Sequence, residues 1–440
     1  MLFLPMDYLI HLSKVSYITV SPKTQGIVCF LTTGSGFDTL LPMTFPIESA
    51  SYSERIARQG LVLRQKTTSP AVFLGFMATA AAHRAILRGH HKDLAPSDTN
   101  HDDLITDPDY KHVKHHTIVA VRKMIEDRTA SVGQYLIEAC FGLVSVATIV
   151  GNFREAKVHL QGISQMMSLT QISQESAQWL PITNVKLATA LLSPPSLPLP
   201  WERQPIPQEY LELVSPQPDS DRSHLGTNLT ILAGLSDRLK ELISYHRDIC
   251  NICEFNINHP ESISPLQNLT LNQKATELEH DLTAYPYETT IFARDHDNKP
   301  LIPALENVIR LAGLGLLAVA PHAILPSTGS GRAITHHQKR ALQDWFKGRQ
   351  NKCSRQELQA ILWALFVFIQ CAEHQPEAEF FIQQMAQMTR ELWLLKWHDT
   401  ESIIYGFLYI PGLQAQKWKD IFDSVMNERW RELSAGALSQ

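Results

Sequence analysis

The strongest constraint on this chain is the spacing of its apolar residues, which recur at intervals of three and four along most of its length. Leu136, Cys140, Leu143, Ala147 and Val150 share one helical face, as do Phe153, Ala156, Leu160, Ile163 and Met167. Ile118, Val121 and Ile125 mark another stripe, as do Leu358, Leu362, Leu365 and Ile369. A longer one runs through Ala378, Ile382, Met385, Met388, Leu392 and Leu395, and a last through Trp418, Phe422, Val425 and Leu433. Leu305 to Val319 is apolar nearly all round and is expected at the centre. The pattern predicts an all-α fold, an array of antiparallel helical pairs that bury one another's apolar faces.

Punctuation supports this reading. Ser69 before Pro70 reads as an N-cap with proline at the first helical position, opening a buried helix that stops at Gly89. Residues 90–111 are polar and read as loop. Gly151-Asn152 separates two stripes into a helical hairpin, and Ser354 with Glu357 has capping-box spacing. Leu229 to Cys253 and Leu269 to Tyr285 are also helical in pattern. Eight of the 25 prolines lie between Pro194 and Pro218, a density that forbids regular helix and marks an extended crossing. The expected organisation is an irregular segment over 1–68, with a small hairpin around Pro22 to Gly26, and a helical half over 69–193. A Pro-rich connection over 194–226 then leads to a C-terminal helical half over 227–440, the halves forming one continuous helical unit.

Hydrophobic residues make up 44% and charged residues 19%, enough apolar content for a substantial core. Lys and Arg total 39 against 44 Asp and Glu, so no global positive field collects phosphates and direct nucleic-acid binding is not expected. Met1 to Leu12 carries Asp7 and no Lys or Arg, unlike the start of a signal peptide. Phe73 to Ala82, Leu311 to Ala320 and Ile361 to Ile369 each fall short of the roughly 18 apolar residues a membrane span needs. The expectation is an intracellular protein, nuclear or cytoplasmic, with no membrane partner.

Candidate sites are few. Cys250 and Cys253, flanked by His246 and His259, have metal-like spacing but read as small apolar residues on one helical face. Seven of the 19 histidines lie between His83 and His116: His83, His90, His91, His101, His112, His115 and His116. His112, His115 and His116 share a helical surface that Asp102 and Asp103 would join as ligands, against a plain solvated face. His83 and His159 are expected to be hydrogen-bonded structural residues. Ser327 to Arg332 lacks the ending of a phosphate loop, Gly329-Ser330-Gly331 lacks that of a nucleophile elbow, and a surface turn is expected. Phe153, Met166, Met167, Trp363, Phe366, Phe368, Met385, Met388, Trp393 and Trp397 would form ordinary core or line an apolar ligand pocket. No catalytic residue, cofactor site or metal site is assigned.

The order of segments carries a resemblance. Gly36-Phe-Asp-Thr-Leu-Leu-Pro42 is followed by Ser69-Pro-Ala-Val-Phe73, Ala80-Ala-Ala-His83 and Leu87-Arg-Gly89. Then come Gly151 to Gly162, Met166 to Leu169, Arg310-Leu-Ala312, Ile361-Leu-Trp-Ala364, Trp397 and Gln416-Lys-Trp418. Together they resemble the regulatory region of fungal zinc-cluster transcription factors. The DNA-binding head of that family packs six cysteines into about thirty residues; here Cys29, Cys140, Cys250, Cys253, Cys353 and Cys371 are scattered. The resemblance implies a regulatory protein without its own DNA reader, linked to secondary metabolism, working through a complete factor as protein partner or an apolar small-molecule ligand. The alternative is the same fold recruited as a cofactor-free isomerase, epimerase or cyclase.

Overall fold

The computed structural model describes residues 46–47, 69–94, 104–127, 133–167, 176–262, 264–288, 291–296, 299–349 and 353–438. The expected N-terminal hairpin, the Gly36 to Pro42 stretch, His101, Asp102 and Asp103 lie outside them. Among the described residues the regular structure is helical, fifteen helices with two isolated β-bridges and no strand. This is the all-α class expected. The chain divides into two compact units between Ala177 and Gln178.

The first unit holds α1 (Pro70–Leu87), α2 (Pro108–Glu126), α3 (Gln134–Ile149) and α4 (Phe153–Met167). α3 and α4 form the hairpin expected. Gly151, at φ 79°, lets the Asn152 N–H reach the Ala147 carbonyl at 2.9 Å while its own N–H reaches Thr148, the Schellman closure of a helix end. Asn152 then caps α4, accepting from the Glu155 N–H at 3.2 Å. α1 and α3 approach so closely that a Cβ on Gly142 would lie 2.8 Å from the Gly75 Cα. Gly75, the one residue that weakens α1 by propensity, is thus where the neighbouring backbone comes in. Among the described helices α1 is the one that would qualify by length and composition as a membrane span, but its apolar residues are largely buried within this unit, as in any core helix.

Two local readings of this unit are corrected. Ser69 stands at the N-cap of α1 with extended backbone, but its side chain makes no capping hydrogen bond. In α2 the buried face is Tyr110, Val113, Thr117 and Val121, whereas Ile125 is 62% exposed. Thr117 joins the core because its hydroxyl donates to the Val113 carbonyl at 2.9 Å, which hides its polarity.

The second unit holds the end of α5 (Ser176–Leu191), then α6 (Gln208–Val214), α7 (Thr227–Thr230), α8 (Asp237–Asn258), α9 (Pro265–Ala284), α10 (Ala304–Leu317), α11 (Gly329–Gly348), α12 (Arg355–Cys371), α13 (Glu377–Glu391), α14 (Trp397–Ile404) and α15 (Pro411–Leu438). α12 is buried on every face from Ala360 to Cys371, so its expected stripe is only part of what it contributes. Its capping box forms, with the Glu357 N–H donating to Ser354 Oγ at 3.1 Å and the Ser354 N–H to Glu357 Oε2 at 2.7 Å. The Pro-rich stretch does contain a helix, α6, which starts directly after Pro207 and buries Tyr210 and Val214 in the core. Between Leu229 and Cys253 the helix is broken, with α7 and α8 separated by residues 231–236.

α13 ends at Glu391, four residues before the Leu395 to which the periodicity runs. Trp393 takes φ 59°, the Leu394 N–H donates to Thr389 at 2.9 Å, and the side chains rotate out of register. Leu394 is therefore buried, while Leu395 is 59% and Trp393 83% exposed.

Two outcomes follow from this packing. Gly142→Ala should lower the thermal midpoint of the first unit, costing about 1–3 kcal/mol through overpacking, whereas Gly162→Ala, with nothing within 4 Å of its Cβ, should be neutral or stabilising. Equal effects of the two substitutions in thermal melts would contradict the close approach. Trp393→Gly should stabilise the fold by up to about 1 kcal/mol by relieving the left-handed backbone at C′, seen as a higher urea midpoint; a lower midpoint would mean that the indole contributes contacts outweighing the strain.

Candidate functional site

Several buried titratable groups of the second unit lie on and around α10. This helix is apolar except for Glu306, Asn307 and Arg310, and Glu306 and Arg310 are only 2% and 3% exposed. A charge taken out of water must be repaid by hydrogen bonds or an opposite charge. Glu306 accepts from the backbone N–H of Ser236 at 3.2 Å, from the Ser236 hydroxyl, and from Tyr285 Oη at 3.3 Å. Ser236 is also the N-cap of α8, accepting from the Leu239 N–H at 3.2 Å.

Arg310 donates from Nη1 to the Leu282 carbonyl at 3.3 Å and from Nη2 to Asn307 Oδ1 at 2.9 Å, and its Nε is buried without a partner. Leu282 lies in the last turn of α9, so the guanidinium answers one of the orphan carbonyls of a helix C-terminus. Burial lowers the arginine's pKa from its ordinary value. Burial likewise pushes the Tyr285 hydroxyl far above its usual range.

Two imidazoles flank this layer. His246, on α8, packs against α10 beside Gly313 and is held down to about 3 by burial. His337, on α11, hydrogen-bonds the Ala190 carbonyl at 2.9 Å; burial first, and then the charge of Arg310, bring it to about 4. A further ion pair, Lys186 with Glu279 at 2.7 Å, ties α5 to α9, and Lys186 also donates to the Leu317 carbonyl at 3.1 Å at the end of α10. The crossing chain before α6 is pinned to α9 by Trp201 Nε1 on Glu277 at 2.8 Å and by Arg203 on Asp281. Opposed by burial, the hydrogen bonds of His280 and Arg203 nonetheless hold Asp281 down to about 2. Chemically this layer is a set of satisfied acceptors and neutral imidazoles. It locks helices together and presents no activated nucleophile.

The residues singled out by sequence do not converge on it. Cys250 and Cys253 are fully buried on α8 with thiols pushed up by burial, while His259 is exposed and stacked on Phe255. Among the described residues no group of three or more His, Cys, Asp or Glu is arranged to hold a metal ion. His83 Nδ1 is buried without a hydrogen bond, contrary to the expected structural pairing, and burial lowers its pKa to about 4. His159 is within 3.4 Å of Glu155. His90 contacts Asp107, the N-cap of α2, at 3.1 Å, and His91 pairs with Ile105 in an isolated bridge. His112, His115 and His116 all stand exposed on α2.

Ser327 to Arg332 is not a surface turn. Thr328, Ser330 and Arg332 are buried, Thr328 caps α11 by accepting from the Gly331 N–H at 3.2 Å, and Arg332 pairs with Glu377. Of the aromatic and Met positions, Trp363, Phe366, Phe368, Met385 and Met388 are fully buried. Phe366 stacks on Trp418 with ring centroids 5.1 Å apart, and Trp363 stacks on Phe407 at 5.8 Å. Trp397 is partly buried against this stack, Phe153, Met166 and Met167 are partly buried, and Trp393 faces outward. The layer around α10 was missed although its signal was present, a Glu and an Arg at i and i+4 in an otherwise apolar helix.

The layer predicts an acid-sensitive second unit. A histidine whose folded pKa lies below its unfolded value of 6.5 contributes stability that is intact above 6.5 and lost as pH falls toward the folded pKa. Each such imidazole lowers stability by up to about 1.4 kcal/mol per pH unit in that window. His246→Gln should flatten the dependence of the urea midpoint on pH between about 6.5 and 4; an unchanged slope would show that His246 takes up no proton on unfolding.

Residues 37–396 match the fungal specific transcription factor domain. No curated protein and no solved structure matches the chain. The matched span runs through α1 to α13, covering the first unit's helices and the second unit's up to α13, with the buried layer on α10. By a match over most of its length, this chain belongs to the family of the fungal specific transcription factor domain.

Proposed function

We propose that this protein is a transcriptional regulator that acts through a protein partner supplying the contact with DNA. The observation that carries the reading is the family match over residues 37–396 in a stretch of 440 residues whose six cysteines are too scattered to form a zinc cluster. The formal charge of -5 agrees with it, since a surface of that balance does not collect phosphates unaided. In this reading the protein is intracellular, in nucleus or cytoplasm. It pairs with a complete factor of the same family, responds to an apolar metabolite, and serves secondary metabolism.

The recruited-enzyme alternative requires a solvent-open pocket holding a proton-transfer group. His246 does not meet that requirement, because burial holds it as a neutral imidazole within a packed core. Deleting the gene should alter the transcripts of a defined set of genes, restored when the gene is reintroduced. An unchanged transcript profile, together with loss of one metabolite, would reject the regulator and favour the enzyme.

A further inference from the structure

α2 carries His112 and His116 one turn apart on its exposed face, their ring centroids 4.4 Å apart at an interplanar angle of 71°. His115 stands next to them, its ring 5.8 Å from that of His116. The opposite face is fixed, because Val113 and Thr117 are buried and Asp107 caps the helix by accepting from the Tyr110 N–H at 2.9 Å. The imidazoles therefore project from a rigid strip, and residues at i and i+4 are the pair a helix brings within reach of one ion. We propose that His112 and His116 chelate a borderline divalent transition-metal ion through their ring nitrogens.

Imidazole suits copper(II), nickel(II) and zinc(II), with copper(II) bound most tightly, and does not suit magnesium or calcium, which take oxygen ligands. The charge of Lys114, in the same turn, is answered by Glu155 at 2.7 Å. With two protein ligands, water fills the rest of the coordination shell, which makes the site an exchangeable one and not a structural centre.

The test is a calorimetric titration of the full chain with copper(II) chloride, comparing wild type with His112→Ala, His116→Ala, His115→Ala and the His112→Ala/His116→Ala double variant. Circular dichroism in chelator confirms that each is folded. Either single loss at 112 or 116 should weaken one equivalent of copper by about a hundredfold, since a chelate becomes a lone ligand, and the double variant should lose that equivalent altogether. His115→Ala should leave it within about threefold, its ring lying outside the chelating pair. Wild-type stoichiometry and affinity in the folded double variant would overturn the proposal, as would a wild type that binds no copper.

Discussion

A guanidinium and a carboxylate one turn apart on α10 must go into the interior if that helix is to lie at the centre of the second unit, and the helices around it meet what these two groups demand. Glu306 draws in the start of α8 through Ser236 and the end of α9 through Tyr285. Arg310 answers the carbonyl end of α9 at Leu282. Each bond contributes modestly beyond what water would supply, but leaving either group unmet in the core would cost several times more. That asymmetry gives the layer its role in register: apolar helices can slide against one another at small cost, whereas a buried charge accepts few placements.

The first unit also buries an ion pair, Arg84 with Asp107 at 3.6 Å, but its helices pack chiefly by close backbone approach. Its helices come together by removing side chains, with Gly75 and Gly142 letting α1 and α3 touch backbone to backbone. Close approach gains dispersion over a long line of small residues, Ala78, Ala82 and Ala85 among them. The buried Arg84 also pairs with Asp109 at 2.8 Å, and Lys114 pairs with Glu155 at 2.7 Å where both are partly exposed.

Much of the helical order could be read from the amino acids in line. Glycine at 89 and 151 stops helices because a left-handed residue closes the last turn, and Ser354 with Glu357 opens one because two side chains satisfy two amides. Both are local effects spanning a few residues, so sequence reports them well. Reading failed where a local pattern competed with a distant partner. The Ser327 to Arg332 stretch looks like a surface turn until Glu377 is brought to Arg332, 45 positions later, and the cluster is buried. Leu395 keeps the helical period on paper, but a left-handed Trp393 shifts the register and sends Leu394 inward in its place.

Sequence by itself determined the class of the fold, the helix boundaries set by caps and glycines, and the family, since all three rest on residue spacing along one dimension. Tertiary structure alone decided which polar groups are buried and what meets them. The exposed imidazoles of α2 and the sealed His246 of α8 are the same residue type in similar helical company. What separates them is the proximity of other helices, and desolvation depends on that distance and not on order in the chain.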